Sequence, residues 1–268
     1  VASATPRIRV ADPVYNAQVI CEQAKEAAEH GAKIVVFPEL CITGYTCNDL
    51  FLQELLLEKA KEALLTIAEE TGQLETLFLV GLPVDKDGRL YNVAAVLYRG
   101  RILGMIPKKN IPMYAEFYEG RHFTPGEETV TEYRLGKQEI PFGTNLLFRC
   151  EELPELILGC ELCEDLWVAE PPSTSHALMG ATVIANLSAS NETVSKDDYR
   201  TLLVKASSAR LLCGYIYTSA GEGESTQDLV FGGHDLIAEN GTLLAQSARF
   251  TTGILYTDLD VLKISSER

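Results

Sequence analysis

The sequence predicts an α/β fold of layered sheets, and three observations carry that expectation. Short apolar runs at 33–37 and 77–82 have the composition of strands buried on both faces. Segments of helical period lie between them. Further along, Asp87-Gly88, Arg99-Gly100-Arg101 and Asn240-Gly241 each separate apolar runs as hairpin turns do. Strand–helix–strand order followed by hairpins implies mixed sheets, two of them face to face with helices outside.

The elements follow in order. Residues 1–5 and 7–10 alternate weakly and are expected to form an entry strand. Asp12-Pro13 supplies an N-cap and an N1 proline, and Val14, Ala17, Cys21, Ala24 and Ala28 recur at helical spacing until Gly31. After the strand at 33–37, Asp49 is expected to cap a second helix, with Leu52, Leu55, Leu56, Leu64 and Ile67 on one face and Gly72 beyond its end. Strands at 77–82, 91–98 and 102–106 follow. The stretch 108–126 has no period and is rich in aromatic and charged residues, the composition of a functional loop. The second half is expected to hold strands near 145–148, 155–162 and 182–187, a helix over 197–212, a strand at 214–219, the Asn240-Gly241 hairpin and a last strand at 254–258.

With 268 residues, 46% of them hydrophobic, the chain can bury one large core, and no linker or repeat divides it. One domain over 1–268 is the expectation. Val1 begins mid-pattern, as if a strand had been cut. Twenty-three basic against 38 acidic residues give a net charge of −15 without a compensating basic stripe, which argues against nucleic acid and anionic membrane as partners. No apolar stretch approaches the roughly 20 residues of a membrane-spanning helix. Seven cysteines (Cys21, Cys41, Cys47, Cys150, Cys160, Cys163 and Cys213) form no even framework, which points to reduced thiols in a cytoplasmic compartment. The Cys160-x-x-Cys163 spacing has no second pair and no histidines at ligand spacing, so no metal site is expected. Cys21 and Cys213 fall in apolar stripes and are expected in the core.

Three ionisable residues stand just past strand-like runs. Cys163 follows 158–162 and precedes Glu164-Asp165, so its thiol is expected at a polar turn as a nucleophile rather than as core packing. Glu39 follows 34–38 and leads into an apolar loop, which suits a partly desolvated general base. Lys108 and Lys109 follow 102–107. A buried ammonium there would favour the thiolate and stabilise an oxyanion, but spacing leaves open which lysine points inward. A nucleophile, a base and a cation at strand ends suit acyl transfer from an amide.

Phe37-Pro38-Glu39-Leu40 with Thr43-Gly44-Tyr45, then Lys108-x-x-Ile111-Pro112, then Cys163-Glu164-Asp165 resemble the nitrilase (carbon–nitrogen hydrolase) superfamily over essentially the whole chain. The resemblance implies a four-layer αββα sandwich with two mixed sheets and a Glu39–Lys108–Cys163 catalytic set. It selects Lys108 over Lys109. It also implies a supporting carboxylate at Glu119, in Glu119-Gly120-Arg121-His122-Phe123-Thr124-Pro125-Gly126. Within the superfamily the chain is more similar to the glutamine-hydrolysing domains of glutamine-dependent NAD synthetases, through Ile111-Pro112-x-Tyr114-x-Glu116-Phe117-Tyr118-Glu119, Leu166-Trp167-Val168 and Asn186-Leu187-Ser188-Ala189-Ser190.

That likeness implies glutamine as substrate, gripped by Tyr45, Tyr114, Glu164 and Ser190. Trp167 would either wall the pocket or simply pack. It implies no cofactor for amide hydrolysis. ATP and a deamido-NAD substrate belong to a synthetase partner domain, whose Ser-Gly-Gly-x-Asp-Ser loop this sequence lacks. Assembly into homo-oligomers is implied as well. The alternatives are a stand-alone nitrilase-type amidase or carbamoylase acting on another small amide, and a catalytically idle domain kept for assembly.

Overall fold

A computed structural model describes residues 1–268. Strands β1 (Ala2–Thr5), β2 (Ile34–Val36), β3 (Leu77–Lys86), β4 (Arg89–Tyr98), β5 (Arg101–Pro107), β6 (Thr131–Leu135) and β7 (Gln138–Phe142) belong to the first sheet. The second is built from β8 (Leu147–Arg149), β9 (Ile157–Leu162), β10 (Val183–Ser188), β11 (Gly214–Ser219), β12 (Leu236–Glu239) and β13 (Thr242–Gln246), while β14 (Gly253–Tyr256) returns to the first. The strand orders are β14-β1-β2-β3-β4-β5-β7-β6 and β13-β12-β11-β10-β9-β8. Both sheets are mixed: β1, β2 and β3 run parallel, as do β9, β10 and β11, and antiparallel hairpins flank each set.

The core confirms four layers. Side chains alternate along each strand, so Phe78 and Val80 of β3 pack with Ala17, Ile20 and Leu64 of helices α1 (Pro13–Glu29) and α2 (Glu54–Glu70). Leu79 points the other way, into a cluster with Val96, Leu158, Cys160, Val183 and Ile216 between the sheets. On the far side Ile184 and Tyr215 pack against Val204 and Leu211 of helix α4 (Lys196–Leu211), with α3 (Pro172–Leu178) beside it. A short α5 (Val261–Glu267) ends the chain.

Most elements fall where the sequence places them, and the departures have local causes. Residues 7–10 do not extend the first strand; Ile8 turns to hydrogen-bond Glu222 across a loop. Asp12 caps α1 through the Tyr15 N–H as expected. The buried stripe is nonetheless rotated, because Asn16 occupies it with its amide on Arg9 and Ile42 carbonyls, leaving Val14 exposed. Asp49 does not cap α2. It lies in a 3₁₀ segment over Tyr45–Leu52 and binds Arg121 and His122, so α2 starts later and leaves Leu52 and Leu55 exposed. The β6–β7 hairpin, α3 and α5 are elements that the sequence reading left out. All seven cysteines are free thiols; Cys21 and Cys213 are buried in the core. No helix is long and apolar enough to cross a membrane.

Candidate active site

The parallel strands of both sheets end on one side of the sandwich, and the three predicted catalytic residues follow β2, β5 and β9 there. Glu39 is brought in by a tight turn. Its N–H donates to Ser188 O on β10, and Ile42 N–H donates to Gly81 O on β3. Gly81 is required by this approach: a Cβ there would lie 2.3 Å from Leu40 N and 2.6 Å from Pro38 O. The turn thus fastens Glu39 to both sheets.

Glu39 is fully buried and fully engaged. Its Oε1 accepts from Asn92 Nδ2 at 2.6 Å and from Lys108 Nζ at 2.7 Å, and its Oε2 accepts from Ala189 N–H at 2.8 Å. Lys108, also fully buried, donates a second bond of 2.7 Å to Glu119 Oε1. Burial works against the Lys108 charge, but Glu119 and Glu39 outweigh it and hold its pKa well above the usual lysine value. Burial, aided by Glu39 and resisted by Lys108, pushes the Glu119 carboxyl up. The Tyr45 hydroxyl donates to the same Glu119 Oε1 at 2.7 Å. Lys109 points outward to Glu128, so the structure resolves which lysine enters the site.

Cys163 sits at the start of a 3₁₀ turn (Cys163–Leu166) with φ of +41°, a left-handed conformation that is strained for a residue with a side chain. Its thiol is buried within electrostatic reach of Glu39, Lys108 and Glu119. Burial first, then Glu39, pushes this thiol well above the ordinary range, with Lys108 pulling the other way. Lys108 favours the thiolate, as expected of an ammonium there, but burial and Glu39 outweigh it. The thiol stays protonated until a base takes its proton. Cys160, three residues earlier, packs between the sheets.

Cys163 opens onto a cavity of about 410 Å³ lined also by Tyr114, Glu164, Trp167, Ser190 and Lys196. The Tyr114 hydroxyl donates to both Glu164 oxygens, at 3.0 and 3.1 Å, and burial pushes the half-buried Glu164 carboxyl up. The Lys196 ammonium lies 5.1 Å from the Trp167 ring centre and 5.4 Å from that of Phe117, and it donates to Asn191 Oδ1. Burial pulls the Lys196 pKa below the usual lysine value. Ser190 Oγ, at the cavity wall, accepts from the fully buried Arg200 at 3.3 Å. Trp167 does both things considered for it, walling the cavity and packing edge-on against Tyr199.

The sequence-predicted residues thus divide by position. Glu39, Lys108, Glu119 and Cys163 converge; Tyr114, Glu164, Trp167 and Ser190 line the cavity; Tyr45 stands behind Glu119 with its hydroxyl committed to that carboxylate. Lys196 was missed, as were the supports Asn92 and Ala189 N–H. Lys196 opens a helix of ordinary polar composition, and only the aromatic residues Phe117 and Trp167 from other elements distinguish it.

A buried thiol beside a carboxylate–ammonium–carboxylate row, on a four-layer αββα sandwich, defines a carbon–nitrogen hydrolase. The carbon-nitrogen hydrolase family model matches residues 1–267, and the chain belongs to that family. Among its relatives, the glutamine-dependent NAD(+) synthetase of Mycobacterium tuberculosis H37Rv is 43% identical over 270 residues, covering 100% of this chain and 40% of that protein. The Thermotoga maritima protein of the same name is 32% identical, covering 92% of this chain and 39% of its own length. The chain therefore spans about two fifths of the curated relatives it matches. A solved glutamine-dependent NAD(+) synthetase from Cytophaga hutchinsonii superposes with a TM-score of 0.85 at 29% identity, over 95% of this chain and 42% of that one. An amidase from Nesterenkonia sp. shares the fold, with a TM-score of 0.74 at 22% identity over 98% of this chain and 91% of the other.

Proposed function

We propose that this domain hydrolyses the side-chain amide of glutamine to glutamate and ammonia, and that the ammonia serves NAD synthesis by a synthetase domain. The observation that carries the reading is the cavity above Cys163. Its lining includes both a carboxylate, Glu164, and an ammonium, Lys196. A free amino acid offers the complementary pair, so Glu164 would take its ammonium while Lys196 and the Ser190 hydroxyl take its carboxylate. The relatives are named for glutamine dependence and NAD synthesis, which agrees with that chemistry.

The arrangement supports the following steps. Glu39 takes the Cys163 proton, and the thiolate attacks the amide carbon. Lys108 and the N–H of Glu164, at the open start of its 3₁₀ turn, hold the oxyanion. Glu39 returns the proton to the departing nitrogen, ammonia leaves, and a γ-glutamyl thioester remains. Glu39 then takes a proton from water, hydroxide attacks the thioester, and glutamate departs as the thiol is restored. Lys108 keeps its proton throughout: Glu119 and Glu39 hold it charged at rest, and the Cys163 thiolate joins Glu119 when Glu39 is protonated. No step requires a cofactor.

Ammonia release from glutamine should be faster than from uncharged amides of similar size, and Cys163→Ala should abolish it. Faster turnover of an uncharged amide would replace this reading with that of a general amidase.

A further inference from the structure

We propose that Asp165 is a positioning residue that holds the nucleophile turn and the lysine segment in register, the inference resting on the catalytic assignment above. Its carboxylate is 1% exposed and joins two parts of the chain more than fifty residues apart. Oδ1 accepts from the Asn110 N–H and from Asn110 Nδ2, both at 2.8 Å. Oδ2 accepts from the Leu162 N–H at 3.0 Å, with the Lys109 N–H farther off at 3.5 Å. Leu162 immediately precedes Cys163, and Lys109-Asn110 immediately follow Lys108. One side chain therefore grips the neighbours of both catalytic groups without touching either.

Two features make this grip consequential. Cys163 has the left-handed φ of +41°, which persists only where the surroundings over-determine it. The Asp165–Leu162 bond closes the turn at that position. Lys108 must also stay aligned with Glu39 and Glu119 at 2.7 Å to each, and the Asn110 bonds anchor the backbone two residues beyond it. Burying a carboxylate is costly unless it is richly hydrogen-bonded. Burial and the nearby Glu161 push Asp165 up to about 6, so the anion is retained at neutral pH by these donors. Asparagine is a poor replacement: its Nδ2 would face the Leu162 N–H, donor against donor.

The test is the rate constant for Cys163 alkylation by iodoacetamide, alongside kcat and KM for glutamine. A rate constant, unlike an amplitude, is unchanged by a smaller folded fraction. Asp165→Asn should slow alkylation and lower kcat by roughly 10- to 100-fold, the scale of a misplaced catalytic group, while KM changes little. Asn110→Ala, which removes one donor and spares the carboxylate, should slow both by a few-fold. Wild-type rate constants in folded Asp165→Asn would overturn the proposal. If that variant does not fold, wild-type rate constants in Asn110→Ala would overturn it instead. Failure of the catalytic assignment looks different: the wild-type protein would then be alkylated no faster than Cys163→Ala.

Discussion

Replacing Lys108 by methionine removes the one positive charge between two buried carboxylates and leaves an unbranched side chain one heavy atom shorter. Glu39 and Glu119 each lose a bond of 2.7 Å to Nζ, and both are almost without solvent contact. Removing one partner of a buried ion pair costs about 3–5 kcal/mol, and here two carboxylates are left facing each other. One of them takes up a proton in the folded state, so the variant should regain stability as pH falls. Activity should drop by at least about 10²–10³, the usual loss on removing an oxyanion donor. Urea unfolding at pH 6 and pH 8, together with ammonia release, measures both effects. Lys108→Met with Glu119→Gln removes one stranded carboxylate and should restore about half of the lost stability while staying inactive. Lys109→Met should be mild, because that ammonium pairs only with exposed Glu128. Ammonia release near wild type in Lys108→Met, or a larger loss in Lys109→Met, would refute the reasoning.

Lys196→Met and Glu164→Gln should each raise KM for glutamine by about tenfold or more, the scale of a charge-assisted hydrogen bond, with a smaller change in kcat. Uncharged amides should be indifferent to both changes; an equal loss for them would mean that the two residues do not recognise an amino acid. Asp235, pushed up to about 7 by burial against the hydrogen bonds of Ser219 N–H and Thr5, gives a stability test. Its folded pKa lies above the ordinary aspartate value, so the folded state binds the extra proton, and stability should fall as pH rises from about 4 to about 7. Asp235→Asn should flatten that slope, and an unchanged slope in the variant would assign it to other groups.

The sequence by itself determined most of the strands, the turns of three hairpins and the strand ends at which chemistry stands. Those signals are local: apolar runs of strand length, Asp-Gly and Asn-Gly turns, and a polar residue directly after each run. Glu39, Lys108 and Cys163 were legible for that reason, and their motifs carried the family. Boundaries were lost where a tertiary contact overrode local preference, as when Asp49 gave up a helix cap for Arg121 and His122. Only the tertiary structure decided that Tyr45 spends its hydroxyl on Glu119 and that Lys196 joins Glu164 in the lining of the cavity. It also set the protonation of the nucleophile, since burial and the neighbouring carboxylates outweigh Lys108 at the Cys163 thiol. The physical reason is distance along the chain. The Ala189 N–H that holds Glu39 lies 150 residues away from it, and the Asn110 amide on Asp165 lies 55 away. No local pattern encodes such pairs; they exist only once the two sheets have stacked and brought their strand ends together.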